Sequence, residues 1–414
     1  MATARPAPIK PEPPGASGSG IRPVGIYSDR VCAAAETLEK VTPLLRNYGI
    51  TRVARVTGLD RVGIPVWNAM RPNARSLSIH QGKGITDDDA RASAVMEAIE
   101  RAVAECVAIP HVVETRYSLT SKRLDHDALD SFVGFRQVPA AGDKPLAWIE
   151  GRNLLTGSAI LLPLEAVTID RTRDARYWQS SDGLASGNTL DEALFHGLLE
   201  RVERDADILW SLERRDARLR SRFDPSDLGD PVVDKLSTMI ADAGLRLVLF
   251  DKTSDLGIPV VSALIGPVQS RATTFRYIDA AGGCGAHPIA ARATIRAITE
   301  AAQSRLTLIT GARDDVDPSA YENELSPDLV EDLASPAVKP PPPDACHPGA
   351  GLPEMASLLF DTLSERVTRL FAVHLTPEEN KFSVVKVFVP ELENPEGARR
   401  QRYGARALAK LTVF

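Results

Sequence analysis

Three stretches spaced about 100 residues apart carry one helix-length pattern: GKGITDDDARASAVMEAIER, ASGNTLDEALFHGLLERVER and GCGAHPIAARATIRAITEAAQSR. Aligning Glu97 with Glu200 and Glu300 superposes Thr86 on Thr189, Ala90 on Ala193 and Ala293, and Glu100 on Glu203, with Gln303 in the third place. Gly63-Ile64-Pro65-Val66 recurs as Gly257-Ile258-Pro259-Val260. Such self-similarity constrains the chain to about three copies of a sheet-then-helix unit. The competing reading is coincidence, because Ala and Glu are frequent in any helix.

Apolar periodicity places the elements. It predicts helices over 34–48, 87–109, 189–214 and 288–309, with Pro43 kinking or starting the first. ITRVARVTG, VGIPVWNAMRP, LRLVLFD, GIPVVSALIGP, TTFRYIDAAGG and KFSVVKVFVPEL read as strands, and LSIHQGKG as a strand running into a glycine turn. A hairpin is expected over 147–170, turning at Thr156-Gly157. Residues 1–22, rich in Pro, Ala, Gly and Ser, are expected to be a disordered tail ahead of one domain over 23–414. The stretch 335–353, with prolines from Pro340 to Pro343, reads as an extended, exposed insertion.

The net charge of -6 gives no overall basic field for nucleic acid or an anionic membrane. No run of about 18 apolar residues is present. Cys32, Cys106, Cys284 and Cys346 form no C-x-x-C pair, which argues against a zinc knuckle and for a reduced, cytoplasmic setting.

The chemistry lies in the acidic helices. At about 100° per residue, Ser93, Glu97 and Glu100 share a stripe roughly 60° wide, apart from Val95, Met96, Ile99, Val103 and Cys106. On the second helix Glu192, His196, Glu200, Glu203 and Asp207 fall within about 80°, while Arg201 and Arg204 are expected to point elsewhere. Like charges at these spacings cost a helix roughly 0.2–0.5 kcal/mol per pair. Water offsets that on an ordinary surface helix. A divalent cation offsets it where hard oxygen donors converge. Two helices with matched acidic geometry favour the cation.

Several residues have simpler readings. Thr189-Leu190-Asp191-Glu192 is a capping-box sequence, and Asn188 after Gly187 suits a turn. Gly82-Lys83-Gly84 before a helix suits phosphate but is not a Walker A loop, and Asp87, Asp88 and Asp89 already complement that helix dipole. The run from Gly282 to Gly285 reads as a tight turn with Pro288 at the first helical position, and Cys284 as an unreactive thiol.

At these residues the sequence resembles the YcaO family. The first family signature, G-K-G then S-A-x-x-E-x-x-E-R, is matched at 82–84 and 93–101. The second, N-G-x-A-x-G-N-T followed by E-A and E-x-x-E-R, is matched at 182–204, with Asp182 where Asn is usual. The third, G-A-H-P then E-A-x-Q-S-R, is matched at 285–305. The resemblance implies an α+β fold peculiar to the family, in which about three sheet-plus-helix units surround a central site for ATP and Mg2+. It implies that Glu97, Glu100, Glu192, Glu200 and Glu203 hold the metal, and that Asn188 joins Glu192 around the phosphates. Lys83 and Ser93 would neighbour the nucleotide, and Arg305 would be the catalytic, phosphate-contacting arginine. Arg30 and Thr37 take the approximate places of a nucleotide-contacting cation and hydroxyl, Arg30 standing where some members have lysine.

The resemblance further implies an ATP-dependent enzyme that activates a backbone amide in a ribosomally made peptide or protein. A nucleophile adds to the carbonyl, ATP phosphorylates the oxyanion, and phosphate leaves. ETLEKVTPLLRNYGITRVARVTGLDRVGIPVWNAMRP resembles members that work with a TfuA protein, including those that install thioamides. The ending ALAKLTVF lacks the proline-rich terminus of many azoline-forming cyclodehydratases. Thioamide formation with a TfuA-like partner is therefore the expectation, with cyclodehydration or a non-catalytic peptide-binding scaffold as alternatives; a homodimer is compatible with each. No general base is legible, although His196 lies on the acidic stripe.

Overall fold

The computed structural model describes residues 29–134, 137–268, 274–313, 315–377, 380–394 and 403–412. The expected N-terminal tail lies outside the described residues. The chain runs through α1 (Ala34–Val41), β1 (Arg52–Arg55), β2 (Val66–Met70), β3 (Ile79–Lys83), α2 (Asp87–Glu105), β4 (His111–Thr115) and α3 (Arg116–Ser121). Next come β5 (Pro145–Asn153), β6 (Ala159–Pro163), α4 (Leu164–Val167), β7 (Leu184–Gly187), α5 (Leu190–Ser211), α6 (Arg215–Arg220), β8 (Arg222–Phe223) and α7 (Pro231–Asp242). It ends with β9 (Leu245–Asp251), β10 (Val260–Pro267), β11 (Ala281–Ala286), α8 (Ala290–Thr310), α9 (Pro327–Ala334), α10 (Leu352–Ser364), β12 (Phe371–His374), β13 (Ser383–Phe388) and α11 (Ala405–Thr412).

Among the described residues the named strands pair antiparallel in three sheets: β1-β2-β3, β11-β10-β9-β8, and β4-β5-β12-β13-β7 with β6 beside β5. The strands leading into the long helices, β3, β7 and β11, each lie at a sheet edge. Each long helix packs on its own strand and also on the strand that leads into the next: α2 on β7, α5 on β11, and α8 on β3. The three helix–strand junctions therefore close in a ring.

Glycine and alanine make the close packing. A Cβ added to Gly82 would stand 2.0 Å from Ala94 N, at Gly283 2.3 Å from Ala301 N, and at Gly285 2.5 Å from Ala293 O. The glycines let strand backbone rest on helix backbone, and the helices answer with buried Ala90, Ala94, Ala293, Ala297 and Ala301. This corrects the reading of Gly282 to Gly285 as a turn: they are strand β11, and the strand expected at TTFRYIDAAGG begins only at Ala281. Pro288 does not start the helix, whose cap is Ile289. Gly82 and Lys83 likewise close strand β3 rather than form a loop. Gly283→Ala is expected to destabilise the fold by about 1–3 kcal/mol or more. Gly58→Ala, where an added Cβ meets nothing within 4 Å, should stay within about 0.5 kcal/mol. Thermal melting of the pair checks both.

The proline-rich stretch is extended but strapped down. Val338 N donates to Arg222 O at 3.0 Å and Ala345 N to Pro288 O at 2.7 Å. Asp344 accepts from Ala290 N at 2.7 Å, supplying an orphan amide of α8 with a partner. Among the described residues no helix is long and apolar enough to cross a membrane.

Candidate active site

The acidic stripes converge where the ring of helices closes. Glu100 of α2 lies beside Ser186 of β7. Glu203 of α5 accepts from Ala286 N of β11 at 3.1 Å. Glu300 of α8 pairs with Lys83 of β3. Glu200 accepts from Gly183 N at 3.0 Å, just before β7. Each long helix thus sends a carboxylate to the strand that opens the next junction. Glu97 lies on the same face of α2, 3.4 Å from Arg101 Nε.

These groups are not a solvated face. Glu192 is fully buried and Glu203 is 5% exposed, while Glu97, Glu100 and Glu200 are half-buried. Desolvation, with Glu97 and Glu200 nearby, pushes the Glu100 carboxyl up to about 8. Glu200 is raised to about 7, again chiefly by desolvation, with Asp182 and Glu203 adding to it against Arg204. Glu203 is raised for the same first reason. These carboxyls are held above their ordinary range chiefly because burial disfavours the charged form, even with cations nearby.

Arg204 is the central cation. It lies 3.4 Å from Glu200, 3.5 Å from Asp182 and 3.7 Å from Glu203. The expectation that it points away from the stripe is corrected. Its Cα direction is only about 40° from that of Glu200, and a long guanidinium stem spans that. Lys386 of β13 was not identified from sequence. It is 3% exposed and donates to Ser180 O at 2.6 Å and Asp182 O at 2.8 Å. Burial lowers its ammonium to about 8, against the pull of Asp182 and Glu200. A lone lysine inside the apolar run SVVKVF was the available signal.

A second cluster surrounds Glu192. Arg30 Nη1 donates to it at 2.8 Å and Val31 N at 3.1 Å, while Asn188 Nδ2 stands 3.4 Å away. Asn188 Oδ1 accepts from Thr37 Oγ1 at 3.1 Å and from Lys40 Nζ at 3.5 Å. The expected capping box is half formed. Thr189 accepts from Glu192 N, but the Glu192 carboxylate turns to Arg30 and Val31. The complete box is on α2, between Thr86 and Asp89. Arg30, Thr37, Asn188 and Glu192, far apart in sequence, are thus brought together.

Other expected residues lie less centrally. Ser93 is half-buried on α2. Arg305 binds Asp60 Oδ2 at 2.7 Å and Asp279 O at 3.4 Å, which holds its guanidinium in place without contact to the carboxylates. Neither ring nitrogen of buried His196 has a hydrogen-bond partner among the described residues, and burial holds its pKa well down. Cys106, expected on the buried face of α2, is exposed, and the helix already ends at Glu105.

Among the described residues, no group of three or more His, Cys, Asp or Glu side chains is placed to hold a metal ion by itself. Magnesium does not require one, since it commonly uses one or two carboxylates and completes its shell with phosphate oxygens and water. Hard oxygen donors on facing helices, with Arg204, Arg30 and Lys83 among them, suit one or two carboxylate contacts to magnesium and cationic contacts to phosphate.

Comparison with known proteins identifies the family. Residues 81–393 match the family profile described as YcaO cyclodehydratase, ATP- and Mg2+-binding. A protein from Rhizobium leguminosarum bv. trifolii, described by its place in the tfuA 3' region, is 39% identical over 394 residues, 93% of each chain. A Methanothermobacter thermautotrophicus protein is 36% identical over 291 residues, 68% of this chain and 72% of that one. Among solved structures, YcaO from Methanopyrus kandleri bound with AMPPCP and Mg2+ has a TM-score of 0.64 at 23% identity, covering 89% of this chain and 93% of that chain. A heterocyclase in complex with substrate and cofactor has a TM-score of 0.72 at 21% identity, covering 91% of this chain; this chain spans 56% of that one. The ring of helix–strand junctions, the buried carboxylates at its centre and these matches lead to one assignment: the chain belongs to the YcaO family of ATP- and Mg2+-binding enzymes.

Proposed function

We propose that the chain uses Mg2+ and ATP to activate a backbone amide of a peptide substrate. The observation that carries this reading is the set of raised-pKa carboxylates Glu100, Glu200 and Glu203, interleaved with fixed cations at the centre of the ring. Glu97, Glu100, Glu200 and Glu203 would supply the carboxylates for the metal, with phosphate oxygens and water completing its shell. Glu192 and Asn188 organise the adjoining corner with Arg30 and Thr37, and Arg30 would offer its charge to a phosphate there. Lys83, Ser93 and Arg305 complete the nucleotide surroundings. Bound Mg·ATP supplies an electrophilic phosphoryl group and charge neutralisation. The protein contributes position and a preset field, as elsewhere in phosphoryl transfer. Arg204 faces the charge that develops near Glu200 and Glu203, and Lys386 fixes the Asp182 loop beside it. The residues 23–414 act as one catalytic unit built from three repeats, which the closed ring of junctions supports.

Ring closure by a substrate Cys, Ser or Thr, giving an azoline, is better supported as the product than the thioamide expected from sequence. The matching profile is described as a cyclodehydratase and two fold neighbours as heterocyclases. Thioamide formation with a TfuA-like partner remains the second reading, on the tfuA-region relative. Mass spectrometry of a peptide treated with the enzyme, Mg·ATP and sulfide, with and without co-expressed TfuA-like protein, separates them. Loss of one water supports ring closure, and exchange of oxygen for sulfur supports thioamidation. An unmodified peptide that is bound but unchanged favours the scaffold alternative.

A further inference from the structure

One cavity lies outside the carboxylate cluster yet on the same two elements. It has a volume of about 220 Å3 and is walled by Trp210, Phe250, Leu264, Tyr277, Gly282 and Leu329. Trp210 is seven residues beyond Glu203 on α5, which returns it to the same side of the helix about 10 Å further along. Strand β11 makes a second rail: Ala286 N binds Glu203 at one end, and Gly282 borders the cavity at the other. Helix and strand therefore run side by side from the carboxylates to the cavity.

The lining is mainly apolar and aromatic, and its two polar side chains are already engaged: Asp332 pairs with Arg215 at 2.9 Å and Ser262 Oγ donates to Gly283 O at 3.3 Å. The Trp210 indole N–H is already satisfied by Ser221 Oγ at 3.1 Å, so its ring serves as an apolar wall. Tyr277 is 45% exposed and stands at the mouth. Gly282 differs from its neighbours in the strand. An added Cβ there meets nothing nearer than Ala263 O at 3.8 Å, whereas Gly283 and Gly285 are pressed against α8. The bare backbone of Gly282 keeps the cavity open without being needed for packing.

We propose that this cavity is a specificity subsite for one apolar or aromatic side chain of the peptide substrate. An extended peptide advances about 3.3 Å per residue, so a span of about 10 Å places that side chain roughly three residues from the reacting amide. The subsite rests on the proposed function for the identity of its occupant.

The test uses N-acetylphenylalaninamide as probe and N-acetylasparaginamide as control, with binding to the full chain followed by ligand-observed NMR. The wild type is expected to bind the phenylalanine probe saturably, with Kd of about millimolar order for so small a ligand, and to ignore the control. Gly282→Leu fills the cavity and should weaken the probe at least about tenfold, or about 1.4 kcal/mol. Tyr277→Ala, a change at an exposed side chain, should weaken it several-fold, and it carries the comparison if Gly282→Leu melts below the wild type. Absence of saturable binding to the wild type overturns the proposal. So does undiminished binding to both variants. Probe binding does not depend on Glu203, so hydrolysis that survives Glu203→Gln would defeat the proposed function and leave this result standing.

Discussion

Glu203→Gln is expected to lower peptide-dependent ATP hydrolysis by about 100-fold or more while leaving the melting temperature unchanged or higher. Glu203 accepts the Ala286 amide and lies in the field of Arg204, Glu300 and Lys83. Glutamine keeps the volume and can still accept from Ala286 N, so packing is preserved. It removes a buried charge whose desolvation is the main reason its pKa is raised, which explains why stability should not fall. It also removes a hard anionic donor, and no neighbouring neutral group replaces that. Steady-state ADP release together with thermal melting checks both halves. Unchanged ADP release in the variant would overturn the proposed function of this site.

Arg204→Met should have the opposite signature. The methionine retains much of the stem but leaves Glu200, Glu203 and Asp182 without their shared cation. Stripping one partner from a buried ion pair costs about 3–5 kcal/mol. The Arg204 side chain keeps 30% of its exposure, so about 2–3 kcal/mol is the reasonable expectation. The loss should depend on pH. Glu200 and Glu203 bind protons more tightly in the folded chain than an ordinary exposed carboxyl does. In the variant their protonated forms need no cation, so the defect should be small near pH 5 and grow as pH rises through about 7. Denaturant melts of both proteins at the two extremes measure it. A defect independent of pH would show that Arg204 acts through packing alone.

How much of this was legible in the sequence differs from residue to residue. Helical periodicity placed Glu97, Glu100, Glu200 and Glu203 on common stripes because one angle per residue fixes their directions. Their burial was not legible, since it depends on strands from the next unit closing over them. The glycine runs were misread because glycine-rich segments usually turn. The deciding information was the alanine face of α2 and of α8, which makes sense only once strand and helix are known to touch. Arg204 was misplaced because Cα direction ignores the reach of a long side chain. Helix α7 carried readable signals, Asp230 capping and Pro231 in the first turn, which the broader repeat pattern overshadowed. The partners of Glu192, Arg30 and Val31, lie some 160 residues away, beyond the reach of any local pattern.

The central claim is that the buried carboxylates are completed by magnesium with a nucleotide. Isothermal titration of the full chain with a non-hydrolysable ATP analogue, in buffers of differing ionisation heat, tests it most directly. Without metal, Glu100 and Glu200 hold protons near neutrality, with pKa values of about 8 and about 7. Metal ligation requires the carboxylate form, so binding must release them. The expected result is tight binding only with Mg2+, release of about one proton at pH 7, almost none above pH 9, and a smaller release in Glu100→Gln. Equal affinity with and without Mg2+, or the same proton count in wild type and Glu100→Gln at pH 7, would contradict it.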